Sequence, residues 1–136
     1  MSPEPRGASD LTVRRAIERY LRRRQSDSTD SSVEAWTYRL KLFREWCDSL
    51  DIKRVDELTG FDFDEYYELR ASKVAPVTLE GEMWTLRMFA QYLEQLGVVD
   101  DGIHESVRIP DLDPEDRSSQ VALDAEPALA LIEYYR

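Results

Sequence analysis

The chain has 136 residues, 42% of them hydrophobic, and a formal net charge of −10. That length holds one cored domain plus part of another, and three Trp, seven Tyr and four Phe exclude disorder throughout. No apolar run reaches the roughly 18–20 residues of a membrane span, no secretory signal opens the chain, and the lone Cys47 excludes an internal disulfide, so a soluble, cytoplasmic protein is expected.

Residues 1–10 read as a flexible leader. Asp10 or Thr12 caps a first helix running to about Gln25. Val13, Ala16, Ile17, Tyr20 and Leu21 form its apolar stripe. Its other face carries Arg14, Arg15, Arg19, Arg22, Arg23 and Arg24. That face is read as solvated, with contact to a nucleic acid or a neighbouring subunit as the alternative. A polar loop follows over 26–32, and Ser31 or Ser32 caps a second helix to about Leu50. Val33, Trp36, Leu40, Phe43, Cys47 and Leu50 make one apolar stripe. Tyr38, Leu42 and Trp46 make another, roughly opposite, which predicts a central helix packed on two sides. Glu34, Thr37, Lys41, Arg44 and Asp48 remain as a narrow polar strip.

A third, aromatic-rich helix is predicted from Gly60 to about Ser72, with Phe61, Phe63, Tyr66, Tyr67 and Leu69. Pro76 opens a fourth, which Gly97 stops after Leu96. Its inward positions are Leu79, Met83, Leu86, Phe89, Ala90 and Leu93. No alternating strand pattern appears. The fold expected is all-α: a four-helix bundle over 11–100, an interdomain linker over 101–122, and one further helix over 123–136. That last element has an apolar face wanting a partner, so the sequence is read as a fragment of a longer chain.

Charge is segregated. Residues 1–44 hold 10 basic and 6 acidic side chains, and residues 45–136 hold 8 and 22. An acidic chain repels phosphate backbones in ordinary salt. Scarce Lys, abundant Arg and about one acid in five residues also fit a protein adapted to molar salt, where repulsion is screened within about 3 Å. Little in the sequence supports catalysis. His104 stands alone in the linker, no Gly-rich phosphate loop is present, and one His with one Cys makes no metal site of the usual ligand count. No metal, nucleotide or other cofactor, no small-molecule ligand and no membrane partner are expected.

Two of these helices carry a recognisable pattern. Ser32-x3-Trp36-x3-Leu40-x2-Phe43-x2-Trp46 resembles the second-helix run of tyrosine recombinases, the phage-integrase family. Thr78-x7-Leu86-Arg87-x-Phe89-x2-Tyr92-Leu93, followed by Gly97-Val98-Val99, is similar to that family's fourth helix and its exit. Arg108-Ile-Pro110 matches the proline linker, and Leu123-Asp-Ala-Glu126 resembles the opening of the catalytic domain. The resemblance implies that residues 11–100 are the SAM-like core-binding domain, half of a clamp around double-stranded DNA. It also implies that 123–136 begin a truncated catalytic domain, that the chain has no catalytic residue of its own, and that protomers associate with one another on DNA.

Carried over position by position, the DNA-facing residues would be Ser31, Ser32, Thr37, Lys41 and Arg44 on the second helix, and Lys73, Thr78 and Arg87 on or before the fourth. Hydroxyls at a helix N-terminus hold phosphate, and Arg or Lys on an exposed strip neutralises phosphates or reads guanine. Gly81 and Glu82 depart from the pattern, standing where relatives commonly carry Arg or Lys. A carboxylate there is expected to face phosphate and weaken binding. Two competing readings are an acidic interaction module using the Tyr38/Leu42/Trp46 face, and a DNA mimic without DNA affinity.

Overall fold

The structure is a computed structural model and describes residues 10–113. Four α-helices form within them: α1 (Val13–Gln25), α2 (Asp30–Ser49), α3 (Gly60–Ala71) and α4 (Pro76–Leu96), with one-turn 3-10 helices at Val55–Glu57 and Ile103–Ser106. Among the described residues there is no strand, only an isolated bridge between Thr12 and Arg54. The all-α bundle is as expected. No helix among them is long and apolar enough to cross a membrane. The expected leader over 1–9, and everything expected of 114–136 including the helix from Leu123, lie outside the described residues.

Local chemistry sets the helix ends. Thr12 caps α1, its Oγ1 accepting the Arg15 N–H at 3.0 Å. Thr29, in place of the expected Ser31 or Ser32, caps α2, accepting the Ser32 N–H at 3.2 Å. The helix therefore starts earlier, with Asp30 in its first turn where the dipole favours an acid. Thr59 and Asp62 exchange side-chain and backbone bonds in a capping box that opens α3. Pro76 occupies the first turn of α4, and Gly97, at φ 74°, takes the left-handed conformation that ends it.

The core joins Ala16, Ile17 and Tyr20 of α1, Leu40, Phe43 and Cys47 of α2, Phe63 and Tyr66 of α3, and all six predicted inward residues of α4. Burial pushes the Cys47 thiol up to about 12, with Asp62 and Asp48 adding to the effect, so it is an inert packing group. One expectation is corrected. α2 is not packed on two opposite sides: its contacts form a single arc through Leu40, Phe43 and Cys47. Tyr38 is 60% exposed and Leu50, at the C-cap, is exposed as well. Trp46 turns into the aromatic layer beside Phe43 and Tyr66. The Tyr38/Leu42/Trp46 face is thus not one surface. Phe61 also faces solvent.

Packing continues past Gly97 into the segment read as linker. Ile103 and Val107 are buried in the core. A single 3-10 turn is too short to leave a helical stripe in the sequence. The same turn half-buries His104, whose ring Nδ1 and backbone N–H both lie 2.7 Å from Glu94 Oε2. Arg108 reaches Asp64 at 3.1 Å and Glu68 at 2.8 Å, with its guanidinium 4.1 Å from the Tyr67 ring centre. These contacts tie the departing chain to α3.

The Glu94 carboxyl sits in opposing influences. Desolvation raises its pKa, but bonds from the His104 backbone and ring and from the Gly102 N–H prevail and hold it below the usual 4.5. A carboxyl depressed in the folded state stabilises the fold above its unfolded pKa, and that stability disappears as pH falls through the folded value. Glu94→Gln is therefore expected to flatten the acid limb of a plot of urea midpoint against pH, with wild type's advantage present above about pH 5 and lost below it.

Candidate functional site

The outward arc of α2 carries Thr37, Lys41 and Tyr38. Lys41 is exposed and forms no ion pair with a described residue. Thr37 is exposed, but its hydroxyl donates to the Val33 carbonyl at 2.7 Å. Arg44 is half-buried and bonded to Asp48 at 3.2 Å. Ser31 is exposed in the first turn, while the half-buried Ser32 hydroxyl accepts from Thr29 at 3.0 Å. Lys73, in the α3–α4 loop, and Thr78, in the first turn of α4, are both exposed, and Lys73 has no acidic partner among the described residues. Arg87 is tied inward, with Nε 3.4 Å from the His104 carbonyl and its guanidinium 5.6 Å from the Trp84 ring centre. It forms no ion pair with Glu80 or Glu94, each two turns away on the same helix and beyond the three- or four-residue spacing of helical pairs. Of these four cations only Arg44 is paired with an acid; Arg87 is held by a carbonyl and a ring, and Lys41 and Lys73 are engaged by no described residue.

α2 and α4 meet through Arg39. Its Nη1 donates to Thr85 Oγ1 at 3.1 Å, and the Thr85 hydroxyl donates to the Gly81 carbonyl at 3.0 Å. A Cβ on Gly81 would stand 2.9 Å from Arg39 Nη2. The Arg39 guanidinium thus lies against the bare Gly81 backbone, inside a helix where glycine costs about 0.5–1 kcal/mol relative to alanine.

The expectation for Glu82 is corrected. Its side chain is 6% exposed and forms two bonds to Arg70, at 2.8 and 2.9 Å. It points into the α3–α4 junction and cannot confront a phosphate. The hydrogen bond from Arg70 is the main cause of that guanidinium's raised pKa. The middle of α4's solvent face presents Trp84 and Met88, 47% and 41% exposed, between the exposed polar Thr78 and Gln95 nearer its ends. Neither the Arg70–Glu82 pair nor the Arg39 contact was visible in sequence, because each joins residues 12 or more apart on different helices. Among the described residues no cluster of His, Cys, Asp or Glu is arranged to hold a metal ion.

One solved structure shares this architecture and much of the sequence. The N-terminal domain of a phage integrase/site-specific recombinase from Haloarcula marismortui is 46% identical to this chain, with a TM-score of 0.70. The similarity covers 74% of this chain and 97% of that one. The chain therefore belongs to the phage integrase/site-specific recombinase family, and the part in common is the family's N-terminal domain. No family model and no curated protein matches it.

Proposed function

We propose that residues 10–109 form the DNA-clamping half of a site-specific tyrosine recombinase, acting on double-stranded DNA in the cytoplasm alongside other protomers. Strand cleavage and rejoining then belong to a separate catalytic domain. The observation that carries this reading is the 46% identity over nearly the whole of a recombinase N-terminal domain. Lys41 and Lys73 are the primary phosphate contacts, since no described acid competes for them. Ser31, Ser32, Thr37 and Thr78 add hydroxyl donors. Arg44 and Arg87 join by exchanging Asp48 and the His104 carbonyl for phosphate oxygens. The acid surplus is an adaptation to high salt, under which the clamp's local cations outweigh the screened net charge. The similar domain from Haloarcula marismortui supports that reading.

Fluorescence anisotropy with a labelled duplex across a wide KCl range tests it. Wild type should bind with a log–log salt slope of about −0.9 per phosphate contact. Reversing both Lys41→Glu and Lys73→Glu should weaken binding tenfold or more and reduce the slope by about two contacts. Absence of duplex binding at every salt concentration, or an unchanged slope in the double variant, would reject the clamp.

A further inference from the structure

Two large apolar side chains stand uncovered on α4. Trp84 and Met88 are both exposed, one helical turn apart on a line that continues through the half-buried Gln91 to the exposed Gln95. α1, α2 and α3 all pack on this helix, yet none of them covers the pair. Arg87 flanks Trp84, its guanidinium 5.6 Å from the ring centre. Thr78 is exposed in the first turn of the helix, and Lys73 in the loop before it. The apolar pair therefore lies between Lys73 and Thr78 at the helix start and Arg87 at its side, three of the proposed phosphate contacts. Two side chains fall far short of the roughly 800 Å² per partner that a stable protein interface buries, which points away from a protein as their occupant.

The floor of a DNA groove is a different surface. An α-helix about 10–12 Å across fits the major groove, about 12 Å wide. Groups on its flanks then meet phosphates, and groups on its inward line meet base edges. Those edges are polar for guanine, adenine and cytosine, whereas thymine brings an apolar group, its C5 methyl. A polar edge pressed on Trp84 or Met88 would lose water and gain no hydrogen bond. A methyl in the same place loses nothing and takes apolar surface out of water. The helical rise sets the two side chains about 6 Å apart along the axis, close to the roughly 7 Å of two base-pair steps.

We propose that Trp84 and Met88 read thymine methyls in the major groove, so that the domain prefers A·T pairs at two positions about two steps apart. The inference rests on the clamp reading and adds a base preference to it. Lys73, Thr78 and Arg87 supply affinity without regard to sequence, and the apolar pair selects. Apolar contacts release no counterions, so the preference holds constant while rising salt weakens the phosphate contacts.

Fluorescence anisotropy of the full chain with two labelled duplexes is the measurement: one of alternating adenine and thymine, the other with uracil in place of every thymine. The two differ only in the C5 methyl. Wild type should bind the thymine duplex about fourfold more tightly for each methyl in contact, with the same ratio from low to high KCl. A variant carrying Trp84→Ala and Met88→Ala should bind the two duplexes alike, with circular dichroism and the urea midpoint confirming that it is folded. The variant carrying Lys41→Glu and Lys73→Glu should bind both duplexes more weakly and keep the wild-type ratio. Equal wild-type affinity for the two duplexes would overturn the inference and leave the clamp standing, as would a thymine preference that survives loss of Trp84 and Met88. A wild-type chain that binds neither duplex at any salt concentration would overturn both.

Discussion

Replacing Glu82 with alanine is expected to destabilise the fold by about 3–5 kcal/mol, read as a lowered urea midpoint. The carboxylate is 5% exposed as a residue and holds Arg70 through two short bonds across the α3–α4 junction. Removing it leaves a guanidinium that is itself only 15% exposed in its side chain and has lost both bonds. The cost is that of an uncompensated buried charge, and it exceeds the net value of the pair. Replacing both partners, Arg70→Met with Glu82→Leu, should therefore recover most of the loss. A double variant as unstable as the single one would mean that the junction depends on the ion pair itself. Under conditions where the Glu82→Gln chain remains folded, its duplex affinity should match wild type, since the carboxylate faces inward.

Phe43→Ala should cost a similar amount, about 3–5 kcal/mol. Phe43 is fully buried and sits at the centre of an aromatic layer. Its ring stacks on Phe63 at 5.5 Å with an 8° interplanar angle, meets Tyr66 edge-on at 5.1 Å, and lies 5.9 Å from Trp46. Truncation opens a cavity between α2 and α3 that these rigid rings cannot close by small shifts. Phe61→Ala is the matched control: the same change on an exposed ring should move the urea midpoint little. If the two variants lost equal stability, the assignment of inward and outward faces on α3 would be wrong.

Much of this architecture is legible in the residues. α4 begins at Pro76 and ends at Gly97 because a fixed φ suits a first turn and a left-handed cap suits a last one. Its six inward residues recur at helical spacing and all are buried. The second apolar stripe of α2 misled because periodicity registers side-chain polarity and not neighbours. Tyr38 has the spacing of a buried residue, but no element of the bundle covers it. The run after Asp100 reads as linker because one 3-10 turn has no measurable period, yet it places Ile103 and Val107 in the core.

The candidate interface was only partly legible for the same reason. The sequence marks which residues carry charge, and the recombinase pattern locates Lys41, Arg44, Lys73 and Arg87 within it. Only the tertiary structure distinguishes an engaged cation from an available one: Arg44 has Asp48, Arg87 has the His104 carbonyl, and Lys41 and Lys73 have neither.

By itself the sequence determined the four helices, the ends of α4 and most of the core, since these follow from interactions among residues within about a turn of one another. The fold alone decided that Glu82 turns inward to Arg70, that Arg39 lies against Gly81, and that no other helix covers Trp84 and Met88. Each of those outcomes depends on a distance between separate helices, and such distances exist only once the helices have packed.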